Sequence, residues 1–323
     1  MYRQFYGLSR KPFEMSPDPF FFYPTSQHKE ALAILQYGVL RQKGFVVITG
    51  EVGTGKTLIV RCLLDSLTRH RVALAFIYNP RLSFQEFLTH VLVDLGLPHS
   101  PQTKVEMLAR LNSFLMERSR NGTTTALIVD EAHLLSWDLL EEIRLLTNLE
   151  TSQGKLLQIV LVGQPELDRK LDSDGLRQLK QRISLRCHLE PLKLEELRGY
   201  IHTRLDLAGA NGNKASIFSD EAVQTVHDLS LGIPRLANTL CENSMISGYG
   251  QHATQITPEI VREVAADLRL KAGVEPLPTS LSSDLEVRDK LRSALSQMID
   301  ELDKTRGQPF DEENLGSGVR TSE

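Results

Sequence analysis

Short apolar runs alternate with amphipathic stretches through the first 190 residues of the chain. Residues 45–49, 72–77, 126–129 and 157–162 are nearly uninterrupted in apolar character, the pattern of strands buried on both faces, and 183–189 reads as a fifth strand. Between them, apolar positions recur at helical spacing over 56–67, 83–96, 103–119 and 138–149. The alternation predicts an α/β fold, a parallel sheet with helices on both faces. From about residue 192 the strands stop, and helical patterns near 194–208, 219–230, 235–248 and 258–270 predict a small all-helical domain over 192–272.

The two ends read differently. Residues 1–25 hold Phe5, Tyr6, Pro12, Phe13, Pro17, Pro19, Phe20, Phe21, Phe22, Tyr23 and Pro24, a composition too stiff and irregular for a helix. Its rings are expected to cap a core or wall a nucleotide pocket. Ser26 is the expected N-cap of a helix reaching about residue 41, with Ala31, Leu32, Leu35 and Val39 on one face. At the other end, 273–283 has linker composition. Leu291, Leu295, Met298 and Leu302 return at helical spacing, and the sequence beyond 307 is polar and expected to be disordered.

Composition narrows the function classes without selecting one. Hydrophobic content of 41% and charged content of 24% are ordinary for a globular protein. The net charge of −4 argues against whole-protein attraction to nucleic acid, leaving only local patches such as Arg61, Arg69, His70 and Arg71. Cys62, Cys187 and Cys241 lack paired spacing, so reduced thiols are expected rather than zinc or disulfides. No apolar run reaches the ~20 residues that span a bilayer, and the N-terminus has no signal-peptide pattern, so the cytoplasm is the expected location.

The chemistry is carried by residues 50–57, Gly50-Glu51-Val52-Gly53-Thr54-Gly55-Lys56-Thr57, which follow an apolar strand and open a helix. Glycines let backbone N–H groups curl around phosphates, and the helix N-terminus adds partial positive charge. This predicts an ATP site at Gly50, Glu51, Val52, Gly53, Thr54, Gly55, Lys56, Thr57 and Leu58, with Lys56 on the β- and γ-phosphates and Thr57 on Mg2+. The strand at 126–129 ends in Asp130-Glu131-Ala132-His133. Asp130 is expected to hold Mg2+ through water and Glu131 to orient the attacking water, while His133 reads as a structural residue. Gln164, after the strand at 157–162, is a candidate γ-phosphate sensor. Arg182 is a candidate finger for a neighbouring subunit's site, with Arg186 as its rival. Arg235, in Gly232-Ile233-Pro234-Arg235, is placed to fold back over the nucleotide.

Together these elements resemble the AAA+ superfamily, and within it the ExeA/GspA-type secretion ATPases. The closer resemblance rests on Phe5-Tyr6-Gly7-Leu8, Pro12-Phe13, Ser16-Pro17-Asp18-Pro19, His28, Glu30-Ala31-Leu32, Tyr37-Gly38, Gly44-Phe45 and the three motifs above, the last extended through Leu161-Val162-Gly163-Gln164-Pro165-Glu166-Leu167. It covers about residues 1–270. The resemblance implies an ATPase core with a helical lid, nucleotide-driven homo-oligomerisation, an envelope or secretion partner, and an aromatic segment 1–25 that helps form the adenine pocket. Longer members carry a transmembrane helix and a periplasmic peptidoglycan-binding domain, for which 273–323 offers only a linker and a polar tail. A related group, the ATPases that regulate transposition, shares the core and binds DNA, which makes a DNA-binding regulator the alternative function. A scaffold in which ATP only fixes assembly is disfavoured by Glu131.

Overall fold

A computed structural model of the chain describes residues 1–15, 18–78, 80–98, 103–152, 154–210 and 217–270. The linker, amphipathic helix and tail expected beyond 272, and Ser16 and Pro17, lie outside them. In chain order the elements are α1 (Tyr2–Phe5), α2 (Ser26–Leu40), β1 (Phe45–Gly50), α3 (Lys56–Arg69), β2 (Ala73–Ile77), α4 (Phe84–Asp94), α5 (Lys104–Arg120) and β3 (Thr125–Val129). There follow α6 (Trp137–Leu146), β4 (Glu150–Thr151), β5 (Gly154–Lys155), β6 (Leu157–Gly163), α7 (Pro165–Leu171), α8 (Arg177–Lys180) and β7 (Ile183–Leu189). Four helices close the described chain: α9 (Leu194–Leu207), α10 (Asp220–Ser230), α11 (Pro234–Gly250) and α12 (Pro258–Asp267).

The five long strands form one parallel sheet in the order β2-β3-β6-β1-β7, with the uninterrupted burial that their apolar runs predict in β1, β3 and β6. Phe45 and Val47 face a core built with Phe87, Leu88, Leu111, Leu115 and Ile143 from α4, α5 and α6. Val46 faces the opposite way, against α2. Gly38 permits that approach, since a Cβ there would collide with the Val46 side chain. Pairing is level: Thr49 lies beside Gly163, and Val129 beside Leu161. The carboxyl ends of β3, β6 and β1 therefore share one edge of the sheet.

A second core joins the four C-terminal helices to the N-terminal segment. Tyr6, Leu8, Phe13 and Phe21 are buried among Tyr200, Ile201, Leu205, Leu240 and Met245. Arg204, itself buried, donates to the Pro12 carbonyl at 2.6 Å and lies over the rings of Phe21 and Tyr200. Both cores belong to one compact unit that includes every described residue.

Three sequence expectations shift. The α2 N-cap is Thr25, whose side-chain oxygen accepts the His28 N–H, and Ser26 is the first helical residue. The Pro-rich segment holds a four-residue helix and a 3-10 turn at Pro19–Phe21, because its prolines leave Tyr2–Phe5 free and tolerate one tight turn. The hairpin of β4 and β5, and helices α7 and α8, have no periodicity to read at two to seven residues.

Gln158 is a polar residue in the middle of β6. Its side-chain oxygen accepts the Gly44 N–H at 2.8 Å, and its amide donates to the Lys155 carbonyl at 2.8 Å. Replacing it with leucine orphans both groups, so Gln158→Leu should lower the unfolding free energy by about 1–3 kcal/mol per group, measured by urea denaturation.

Candidate active site

The loop after β1 turns through two left-handed glycines, Gly53 at φ +87° and Gly55 at φ +102°, the second being the N-cap of α3. Thr54 Oγ1 donates to the Glu51 carbonyl at 2.9 Å and steadies the turn. Lys56, only 8% exposed, donates from Nζ to the carbonyls of Gly50 at 2.7 Å and Glu51 at 2.8 Å. Burial pushes its pKa down, opposed by the carboxylates of Glu131, Asp130 and Glu51. The ammonium keeps a third donor beyond those two carbonyls. Val52 is exposed at the loop tip, and Leu58 donates its N–H to Gly55.

The backbone N–H groups of Gly53, Gly55, Lys56 and Thr57 find no acceptor among the described residues. Thr57 is exposed, and its hydroxyl is likewise uncommitted. Orphan N–H donors at the positive end of a 14-residue helix, beside a buried ammonium, are the donor set a polyphosphate requires. A free hydroxyl at the next position suits the metal that accompanies it. The residues present therefore fit ATP and Mg2+.

Asp130 follows β3 and donates its N–H to the Ile77 carbonyl at 2.9 Å. Its carboxylate is 7% exposed, and Oδ1 accepts the Glu131 N–H at 2.8 Å. Burial raises its pKa, opposed by that N–H bond and by Lys56. Glu131 is left-handed at φ +50°, an uncommon conformation for a residue with a Cβ that concentrates at functional turns. Its Oε2 stands 3.4 Å from His133 Nδ1. The same nitrogen accepts the Gln164 backbone N–H at 3.4 Å, and burial pushes the imidazole pKa down, toward the neutral form. Lys170 holds this turn from outside, donating to the carbonyls of His133 at 2.9 Å and Leu135 at 2.7 Å.

The structure thus brings Lys56, Asp130, Glu131 and Gln164 to one edge. His133 stands between Glu131 and Gln164, a more central position than a purely structural reading gives it. The Gln164 amide side chain makes no hydrogen bond among the described residues, and the residue caps α7 without a side-chain bond. From α11, Arg235 donates its backbone N–H to the Gly53 carbonyl at 3.3 Å, while its side chain is exposed.

The two finger candidates lie elsewhere. Arg182 precedes β7, whose Ile183 pairs with Phe45 and whose Leu189 pairs with Gly50. It is therefore at the amino end of the sheet, six strand residues or roughly 20 Å from the phosphate loop, and cannot serve its own site. Its Nη1 donates to Thr147 Oγ1 at 3.0 Å. Arg186 is committed to two carboxylates, Asp172 at 3.3 Å and Asp168 at 3.4 Å.

Residues 39–171 match the AAA domain family, a span that runs from the end of α2 through α7. General secretion pathway protein A of Aeromonas hydrophila is 43% identical over 257 residues, 79% of this chain and 46% of that protein. The chain belongs to the AAA+ ATPases. The ATPase spans about half the length of that relative. It is also 23% identical to the ATP-dependent target DNA activator B of Escherichia phage Mu, over 81% of this chain and 78% of the activator. In fold it is similar to Cdc6p from Pyrobaculum aerophilum, at a TM-score of 0.60, 21% identity, and coverage of 80% of this chain and 74% of that one.

A methyl group at Gly53 would sit 2.6 Å from Arg235 Cβ and 3.1 Å from Ile233 Cγ2, on backbone at φ +87°. Gly53→Ala should therefore weaken ADP binding by about tenfold or more while the fold persists, as read by calorimetric titration and circular dichroism.

Proposed function

We propose that this chain hydrolyses ATP with Mg2+ as an oligomer, and that turnover drives assembly or remodelling of a bacterial envelope secretion complex. The observation carrying the hydrolytic part is the shared strand edge: four orphan N–H groups and Lys56 lie at the same edge of the sheet as the Asp130–Glu131 pair. Thr57 and Asp130 would hold the metal, which supplies neutralisation of phosphate charge. Lys56 binds and orients the phosphates. Glu131, next to neutral His133, orients and polarises the attacking water, since positioning and electrostatics carry most of phosphoryl transfer. Gln164 lies beside that pair as the phosphate sensor, and Arg235, seated on Gly53, links the lid to the loop.

Arg182 supports the oligomeric part, because at the amino end of an edge strand it stands roughly 20 Å from its own phosphate loop and would act only on a neighbour's. The likeness to general secretion pathway protein A supports an envelope partner. Among the described residues no helix is long and apolar enough to cross a membrane; the reading places membrane attachment on that partner. The likeness to the phage activator favours DNA instead, with the exposed Arg61, Arg69, His70 and Arg71 as the patch. The net charge of −4 and the lower identity place that reading second.

Lys56→Ala should lose nucleotide binding, whereas Glu131→Gln should bind ATP and turn over at background. Wild-type turnover by the Glu131→Gln protein would sink the mechanism. Arg182→Ala and Glu131→Gln should each be inactive alone and recover turnover when mixed, since one supplies an intact site and the other an intact finger. Failure of the mixture, with recovery by Arg186→Ala in its place, reassigns the finger. A salt-dependent shift of duplex DNA in gels, with ATP present, would move the assignment to the DNA reading.

A further inference from the structure

The phosphate loop is braced from a side the motif does not reveal. His28 lies on the first turn of α2 and is 6% exposed. Its Nε2 is 3.3 Å from the Thr54 carbonyl oxygen, and its Nδ1 is 2.7 Å from Thr25 Oγ1. A carbonyl only accepts, so Nε2 carries the proton. In the neutral ring Nδ1 is then bare and accepts the Thr25 O–H. Thr25 Oγ1 in turn accepts the His28 backbone N–H at 3.3 Å, so the cap of α2 and the tautomer of its histidine are fixed by one hydroxyl. Burial pushes the His28 pKa down, against the Thr54 bond and the Glu196 charge, and keeps the ring neutral. Phe22 stands edge-on to the imidazole with centroids 5.9 Å apart.

The geometry points to His28 as a positioning residue for nucleotide binding, acting through the Thr54–Gly55 peptide. In a planar trans peptide the C=O and the following N–H point in opposite directions. Holding the Thr54 oxygen against His28 therefore aims the Gly55 N–H away from it, and that N–H is one of the four orphan donors of the loop. Gly55 is left-handed at φ +102°, with few sterics of its own to hold the plane. A Cβ on Gly55 would stand 3.3 Å from His28 Nε2, so loop and ring are in close contact. The brace belongs to the segment entering α2, outside the phosphate-binding motif.

This inference rests on nucleotide binding at the loop, so ADP binding is measured by calorimetric titration on the full chain for wild type, Lys56→Ala, His28→Phe and His28→Gln. His28→Phe keeps volume and loses the donor, while the glutamine amide can replace Nε2–H. The expected result is binding weakened about tenfold in His28→Phe, with His28→Gln within about threefold of wild type and maximal turnover little changed in both. Equal weakening in both variants, or wild-type affinity in folded His28→Phe, overturns the proposal. Absence of binding by the wild type would instead overturn the loop reading itself. Should His28→Phe not fold, long-range 1H–15N spectra of the wild-type histidines decide: an Nε2–H tautomer at His28 supports the brace, and an Nδ1–H tautomer refutes it.

Discussion

Three parallel strands that deliver their carboxyl ends to one sheet edge impose the arrangement on which the rest depends. Because Thr49 pairs with Gly163 and Leu161 with Val129, the residues that follow β1, β6 and β3 emerge at the same edge, with β3 ending two positions short of β6. A one-residue slip of β3 would turn its alternating side chains to the opposite faces and carry Asp130 out of line with Lys56. The register is guarded by uninterrupted burial in the three strands and, between β1 and β6, by the Gln158 side-chain oxygen, which accepts the Gly44 N–H.

Charge at that edge is managed by burial. Lys56, Asp130 and His133 are each displaced toward their neutral forms by desolvation and held back by one another or by Glu131. An ammonium tied to two loop carbonyls and a carboxylate tied to the next N–H are prepaid in geometry before any ligand arrives. The same logic extends to the C-terminal helices, where the first free N–H of α11 finds its acceptor in the phosphate loop at Gly53. The loop is therefore held by hydrogen bonds from two other elements, α11 through Arg235 and α2 through His28.

Much of this was legible. The five strands and most long helices follow from apolar periodicity, and Lys56, Asp130 and Glu131 from motifs whose chemistry dictates their spacing. What was not legible depends on long-range packing. Thr25 and Ser26 both offer a hydroxyl at the start of α2, so composition does not separate them; it is Thr25 that accepts the His28 N–H. The place of His133 beside Gln164 is set by a contact 31 residues along the chain, which no local pattern marks. Arg182 and Arg186 read alike in the sequence, and only the carboxylates of Asp168 and Asp172 on α7 and after it separate them.

The aromatic segment at the start of the chain completes a core made at its end. Tyr2 donates to Glu242, Tyr6 to the Ala253 carbonyl, and Arg204 to Pro12, across separations of 240, 247 and 192 residues. At a synthesis rate of about 5–20 residues per second, Phe13 and Phe21 emerge roughly 10–40 s before their partners exist. The α/β sheet can form in that interval, but the second core cannot. Birth order thus makes the second core the last part of the described chain to solidify, with its apolar N-terminal half waiting through the whole delay.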